Sequence, residues 1–119
     1  MGVREHLAFL DSTRAVVEGE LVLIHRMLDE ADPLADRLLR SRRLSQVELN
    51  LVQADIRMIE ASERFAQALL EALDELNLLP LSGVTAWWSR HKLRGGVRRL
   101  AHARATSETA LSDLRRLAP

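Results

Sequence analysis

The chain has 119 residues, a formal net charge of zero and no cysteine. That length suits one domain with a core of its own, and the missing cysteines exclude a disulfide scaffold, a thiol nucleophile and a thiolate metal site. Hydrophobic residues make up 47%, Tyr is absent, and Gly and Pro number only five and three, so the composition excludes a disordered chain and favours helices around an aliphatic core.

The neutral total hides a segregation. Residues 44–75 carry seven acids against Arg57 and Arg64, whereas residues 76–107 carry Arg90, Lys92, Arg94, Arg98, Arg99 and Arg104 and no acid. Opposite poles on one neutral chain suit association with itself or a relative better than with bare nucleic acid. No apolar run reaches the ~18 residues that span a bilayer. Arg4, Glu5 and His6 interrupt any secretory leader pattern. The expected location is therefore cytoplasmic, with no membrane partner.

In chain order, Val3 to Leu28 reads as helix, with Leu7, Leu10, Val17, Leu21, Ile24 and Leu28 at helical spacings. Asp11-Ser12-Thr13 offers a cap and Gly19 a weak point, so a leading turn and a main helix from about Thr13 are expected. Asp32-Pro33 pairs an N-capping residue with the residue best suited to the first helical position. It predicts a short second helix from Pro33 to about Arg43, ending in Arg37, Arg40, Arg42 and Arg43. Ser45-Gln46-Val47-Glu48 is a capping box.

Two apolar rows follow it. One is Val47, Leu51, Ala54, Met58, Ala61, Phe65, Ala68, Ala72; the other is Val52, Ile56, Ile59, Ala66, Leu70, Leu73. No Pro or Gly intervenes before Asn77. Read alone, this is one helix of over thirty residues, far beyond the usual ~11–12; Ala61-Ser62-Glu63 is the one polar cap that could divide it. Pro80 stops the segment and Ser82 can cap the next. Val84 to about Arg94 then forms a short helix, Gly95-Gly96 breaks it, Val97 to Ala103 resumes, and Thr106-Ser107-Glu108 permits a final helix through Leu111, Leu114 and Leu117.

Catalytic chemistry finds no foothold. His6, His25, His91 and His102 lie far apart, with no carboxylate at the spacing of a helical metal pair. There is no phosphate loop, nucleophile triad or paired carboxylate of recognisable spacing. No enzyme activity, cofactor, metal or small-molecule substrate is expected. Trp87-Trp88 beside the basic run could serve a membrane surface or nucleic acid. The simpler expectation puts one Trp in the core and the other at its rim.

With breaks at 31–33, 44–45, about 61–63, 80–82 and 95–96, the order and lengths of the segments resemble the caspase recruitment domain of the death-fold superfamily. Leu28 to Leu39, with Asp32-Pro33-Leu34 leading into Leu38-Leu39, is similar to that family's junction of helices one and two. Leu44-Ser45-Gln46-Val47-Glu48 resembles the start of its third helix, and Ala66 to Leu73 its fourth. Leu78 to Trp88 looks like the turn and fifth helix, and Arg99-Leu100-Ala101 sits where the sixth would close. The resemblance implies an all-α, six-helix antiparallel death-fold bundle over residues 13–104. Residues 1–12 would extend helix one, and residues 105–119 would add a C-terminal helix. The expected core holds Leu21, Ile24, Leu28, Leu38, Val47, Leu51, Phe65, Leu69, Leu73 and one of Trp87 and Trp88.

The function that resemblance implies is a non-catalytic adaptor, binding other death-fold domains or its own copies in cell-death or immune-defence signalling. The candidate contact sets Arg37, Arg40, Arg42 and Arg43 against Asp55, Glu60 and Glu63. Two other classes remain open. One is a structural bundle or coiled-coil subunit of a larger complex, favoured if residues 46–78 form one unbroken helix. The other is a nucleic-acid or membrane-surface binder through residues 90–104.

Overall fold

A computed structural model of the chain describes residues 2–78 and 83–118. Among these residues it is all-α, with three helices: α1, Val3–Leu39; α2, Gln46–Leu78; and α3, Gly83–Leu117. They run up, down and up in a rod of 60 × 20 × 19 Å, about the length of one such helix at 1.5 Å per residue. Cross-helix pairs show the senses. Arg14 meets Asp74 and His25 meets Glu63 in opposite orders along α1 and α2, while Glu20 with Arg104 and Glu30 with Arg115 rise together along α1 and α3.

Why three long helices form is visible in the spacing of the buried residues. Leu10, Val17, Ile24, Ala31 and Leu38 are buried on α1 at intervals of seven. Val52, Ile59, Ala66 and Leu73 repeat the interval on α2, as do Ala86, Leu93, Leu100, Ser107 and Leu114 on α3. A sustained seven-residue repeat keeps one seam facing its partners along the whole helix, the geometry of coiled-coil packing. Every two turns added along a seam bury another residue of the repeat, almost always apolar, and that gain outweighs local stop signals.

The expected six-helix division is therefore not what forms. The segment ahead of Thr13 is not separate, because Thr13 turns its hydroxyl back to the Phe9 carbonyl at 2.8 Å instead of capping a restart. Asp32-Pro33 does not end α1. A proline in a helix interior costs ~3 kcal/mol, but Pro33 faces solvent, and continuing the helix buries Ala35 and Leu38 beside Ala31. Ser62 does not divide α2: it lies in the core and donates to the Met58 carbonyl at 3.0 Å. Gly95-Gly96 does not break α3. A side chain at Gly96 would sit 2.8 Å from Leu69 Cδ2, so this glycine admits close packing against α2, while Gly95 has open space beside it. Thr106 and Ser107 likewise bond to carbonyls one turn back, those of His102 and Ala103, so no appended helix begins at residue 105.

The capping box is borne out. Ser45 N–H donates to Glu48 Oε1 at 3.0 Å and Glu48 N–H donates to Ser45 Oγ at 3.2 Å. The Ser45 backbone N–H donated to its carboxylate, followed by the Ser45 hydroxyl, holds the Glu48 carboxyl below its ordinary range. α2 is described to Leu78 and α3 from Gly83; the expected roles of Pro80 and Ser82 fall outside the described residues.

Of the expected core, Ile24, Leu28, Leu38 and Leu73 are buried, and Leu21, Phe65 and Leu69 pack half-buried against them. Val47 and Leu51 are instead 77% and 42% exposed, and Trp87 and Trp88 are 64% and 51% exposed. The reason on α2 is rotational. The row containing Val52, Ile59 and Leu73 takes the core, and the row containing Val47 and Leu51 is turned outward.

Candidate interaction surface

The four arginines gather at the end of the rod where α1 stops. Arg37 lies in the last turn of α1, Arg40 is its C-cap, and Arg42 and Arg43 belong to the connection to α2; all four are exposed. Arg40 is bridged to Asp36 one turn back at 3.3 Å. Arg37 and Arg43 also line an open hollow floored by Leu34, Leu38, Leu44 and Leu117.

The three acids set against them are not brought together as a surface. Asp55 is buried against α3, with Oδ2 lacking a hydrogen-bond partner. Burial pushes its carboxyl up to about 6, helped by the nearby Asp113 carboxylate and opposed by the Arg116 guanidinium. Glu63 takes a 2.8 Å contact from His25 Nε2 across the α1–α2 face, and Glu60 is half-buried on α2. Sequence spacing missed both placements because neither the α3 neighbour of Asp55 nor the α1 neighbour of Glu63 is local.

The surface that sequence reading passed over runs along α2. Val47, Leu51, Ala54, Met58, Ala61 and Ala68 are exposed, and Phe65 and Ala72 are half-buried at the same face. Their spacing alternates four and three from the first turn of the helix to within two turns of its end. α2 thus carries two coiled-coil seams, one in the core and one largely at the surface, with Phe65 packed partly against the core. The signal was present in the sequence as two apolar rows; what it could not say was which row faces inward.

A different surface lies on the outer side of α3. Trp87 stacks on His91 with ring centres 5.7 Å apart and planes 6° from parallel, and Lys92 sits over Trp88 at 5.1 Å. Arg90 and Arg94 lie over the Phe9 ring of α1 at 5.2 and 5.6 Å, each a contact of the cation–π type. Part of the basic run is thereby used within the fold. Arg104 is used too: it bonds Glu20 on α1 and Glu108 on its own helix, and the bond to Glu20 chiefly raises its pKa.

Among the described residues, no group of three His, Asp or Glu is placed to hold a metal ion, and no helix is long and apolar enough to cross a membrane. Fold and surface together define the class as an elongated three-helix bundle of coiled-coil type with an unpartnered second seam. No family model, curated protein or solved structure matches the chain.

Proposed function

We propose that the chain is a non-catalytic protein-interaction module that works by helix-on-helix packing. The observation that carries this reading is the exposed row on α2, with Val47, Leu51 and Met58 at 77%, 42% and 40% exposure in unbroken register. An isolated exposed leucine means little, but an apolar stripe along most of a helix marks a surface that another helix covers. The reading keeps the non-catalytic, assembling part of what the death-fold resemblance implies. It drops the six-helix frame, since residues 46–78 form one helix, the feature that favours a bundle or coiled-coil subunit.

The test is Leu51→Glu with Met58→Glu. Both side chains are exposed in the isolated chain, so helicity and melting by circular dichroism should be unchanged. Association of the chain, followed by sedimentation with and without a tagged second copy, should be lost. Association that persists at wild-type strength would remove α2 as the contact.

A second reading has its own observation: Trp87 and Trp88 are both exposed, in a stretch with six cations and no acid. Indole rings beside cations suit the interface of an anionic lipid surface. Vesicles with phosphatidylserine should then shift the Trp emission to the blue, with an effect that salt removes. No shift at low salt would end that reading.

A further inference from the structure

We infer that the partner of the exposed α2 row is the α2 row of a second copy, lying antiparallel in a single register; this rests on the helix-packing reading above. Three features of the row carry the inference.

The first is symmetry. The four-three alternation from Val47 to Ala72 begins and ends on an interval of four, so it reads the same in both directions. An antiparallel copy superposes every apolar position on another when Val47 faces Ala72, Leu51 faces Ala68, Ala54 faces Phe65, and Met58 faces Ala61.

The second is size. In that register each of the four pairs joins a large side chain to an alanine. Large against small is how facing positions fill space at core density without voids or clashes. The alanines also lie at intervals of seven over Ala54, Ala61 and Ala68, letting the two backbones approach along the seam. Because the pairing is two-fold, the same patch serves both copies and the assembly closes at two.

The third is area. The row spans 25 residue steps, about 38 Å of helix. One third of the surface of a cylinder ~12 Å across and that long is roughly 500 Å² per copy, or about 1,000 Å² for the pair. Phe65 and Ala72 are already half-buried, so this area is a ceiling, and it places the contact at the small end of specific interfaces, where weak dimers lie.

The flank adds a sign. Arg57 and Arg64, both exposed, border the row on its solvent side, and in this register Arg57 of one copy approaches Arg64 of the other. Like charges at the rim oppose pairing until salt screens them. The dimer should therefore tighten as salt rises, and Arg64→Glu should tighten it at low salt.

The chain has no cysteine, so introduced thiols report geometry cleanly. A disulfide needs Cα atoms ~4.4–6.8 Å apart. Under mild oxidation, L51C mixed with A68C should give a crosslinked pair, while L51C alone and A68C alone should not. In the antiparallel register, equivalent Leu51 positions lie about 25 Å apart along the axis. Ready self-crosslinking of L51C would overturn the antiparallel register while leaving α2 as the contact. So would association that Leu51→Glu with Met58→Glu abolishes but that gives no mixed crosslink. A wild-type chain that sediments as a monomer at millimolar concentration and high salt would overturn both this inference and the reading it rests on.

Discussion

Ser62 on α2 and Ser107 on α3 meet with their hydroxyl oxygens 2.8 Å apart, both buried, and both directed at the Ala103 carbonyl at 3.3 and 2.8 Å. Small side chains here draw α2 and α3 together, and the bonds satisfy what would otherwise be buried orphan hydroxyls. Ser62 also bonds the Met58 carbonyl of its own helix, so each hydroxyl retains a partner when the other is lost. Ser62→Ala or Ser107→Ala should therefore cost only ~0.5–1.5 kcal/mol, and the double variant less than the sum. Ser62→Leu should cost ~1–3 kcal/mol by overpacking. Urea unfolding of the four variants checks the order.

Legibility followed the distance over which each signal acts. The all-helical class, the capping box at Ser45 and Glu48, and the core places of Ile24, Leu28, Leu38 and Leu73 depend on local pattern, and the sequence carries them. Asp32-Pro33, Ser62 and Gly95-Gly96 also carry local signals, but these lose to the seven-residue seam, whose energy comes from the other two helices. The same limit governs the surface. Both α2 rows are apolar, and only the positions of α1 and α3 decide that Val52 and Ile59 go in while Val47 and Leu51 stay out. Gly96 reads as a stop until Leu69 is placed beside it.

The two glycines of that pair should separate experimentally. Gly95→Ala meets open space and replaces a poor helix former, so it should stabilise by ~0.5–1 kcal/mol. Gly96→Ala gains the same propensity but drives a methyl toward Leu69 Cδ2, which must move. It should be less stable than Gly95→Ala, and Leu69→Ala should relieve the difference. Thermal melts of the single and double variants measure the coupling.

Asp55 makes stability depend on pH in the direction opposite to a salt-bridged acid. Its folded pKa, pushed up to about 6 mainly by burial, exceeds the ordinary 3.8. The folded state therefore holds the proton more tightly than the unfolded state. This contribution is complete below about pH 3.8 and is lost as pH rises through about 6. Asp55→Asn should remove that slope and stabilise the protein at pH 7–8 by on the order of 1–2 kcal/mol. A variant with the wild-type slope between pH 4 and 6 would show that another group is responsible.

The arginines at the end of the rod offer a rival contact, and one comparison separates it from the α2 row. Arg42 and Arg43 are exposed in the connection between α1 and α2, so reversing both to glutamate should leave the fold intact. Of the acids expected to receive them, Asp55 is in the core and Glu63 is engaged by His25, leaving Glu60, half-buried on α2. One such acid supplies little, since exposed ion pairs contribute ~0–1 kcal/mol and salt screens them. An α2 row that buries eight apolar positions supplies more by area. Arg42→Glu with Arg43→Glu should thus leave the dimerisation constant within about threefold, a shift under ~1 kcal/mol, and high salt should strengthen association in this variant as in the wild type. Leu51→Glu with Met58→Glu should abolish association at any salt. If the arginine reversal alone abolishes it, and high salt weakens the wild-type contact, the charged end of the rod is the interface and the α2 row is not.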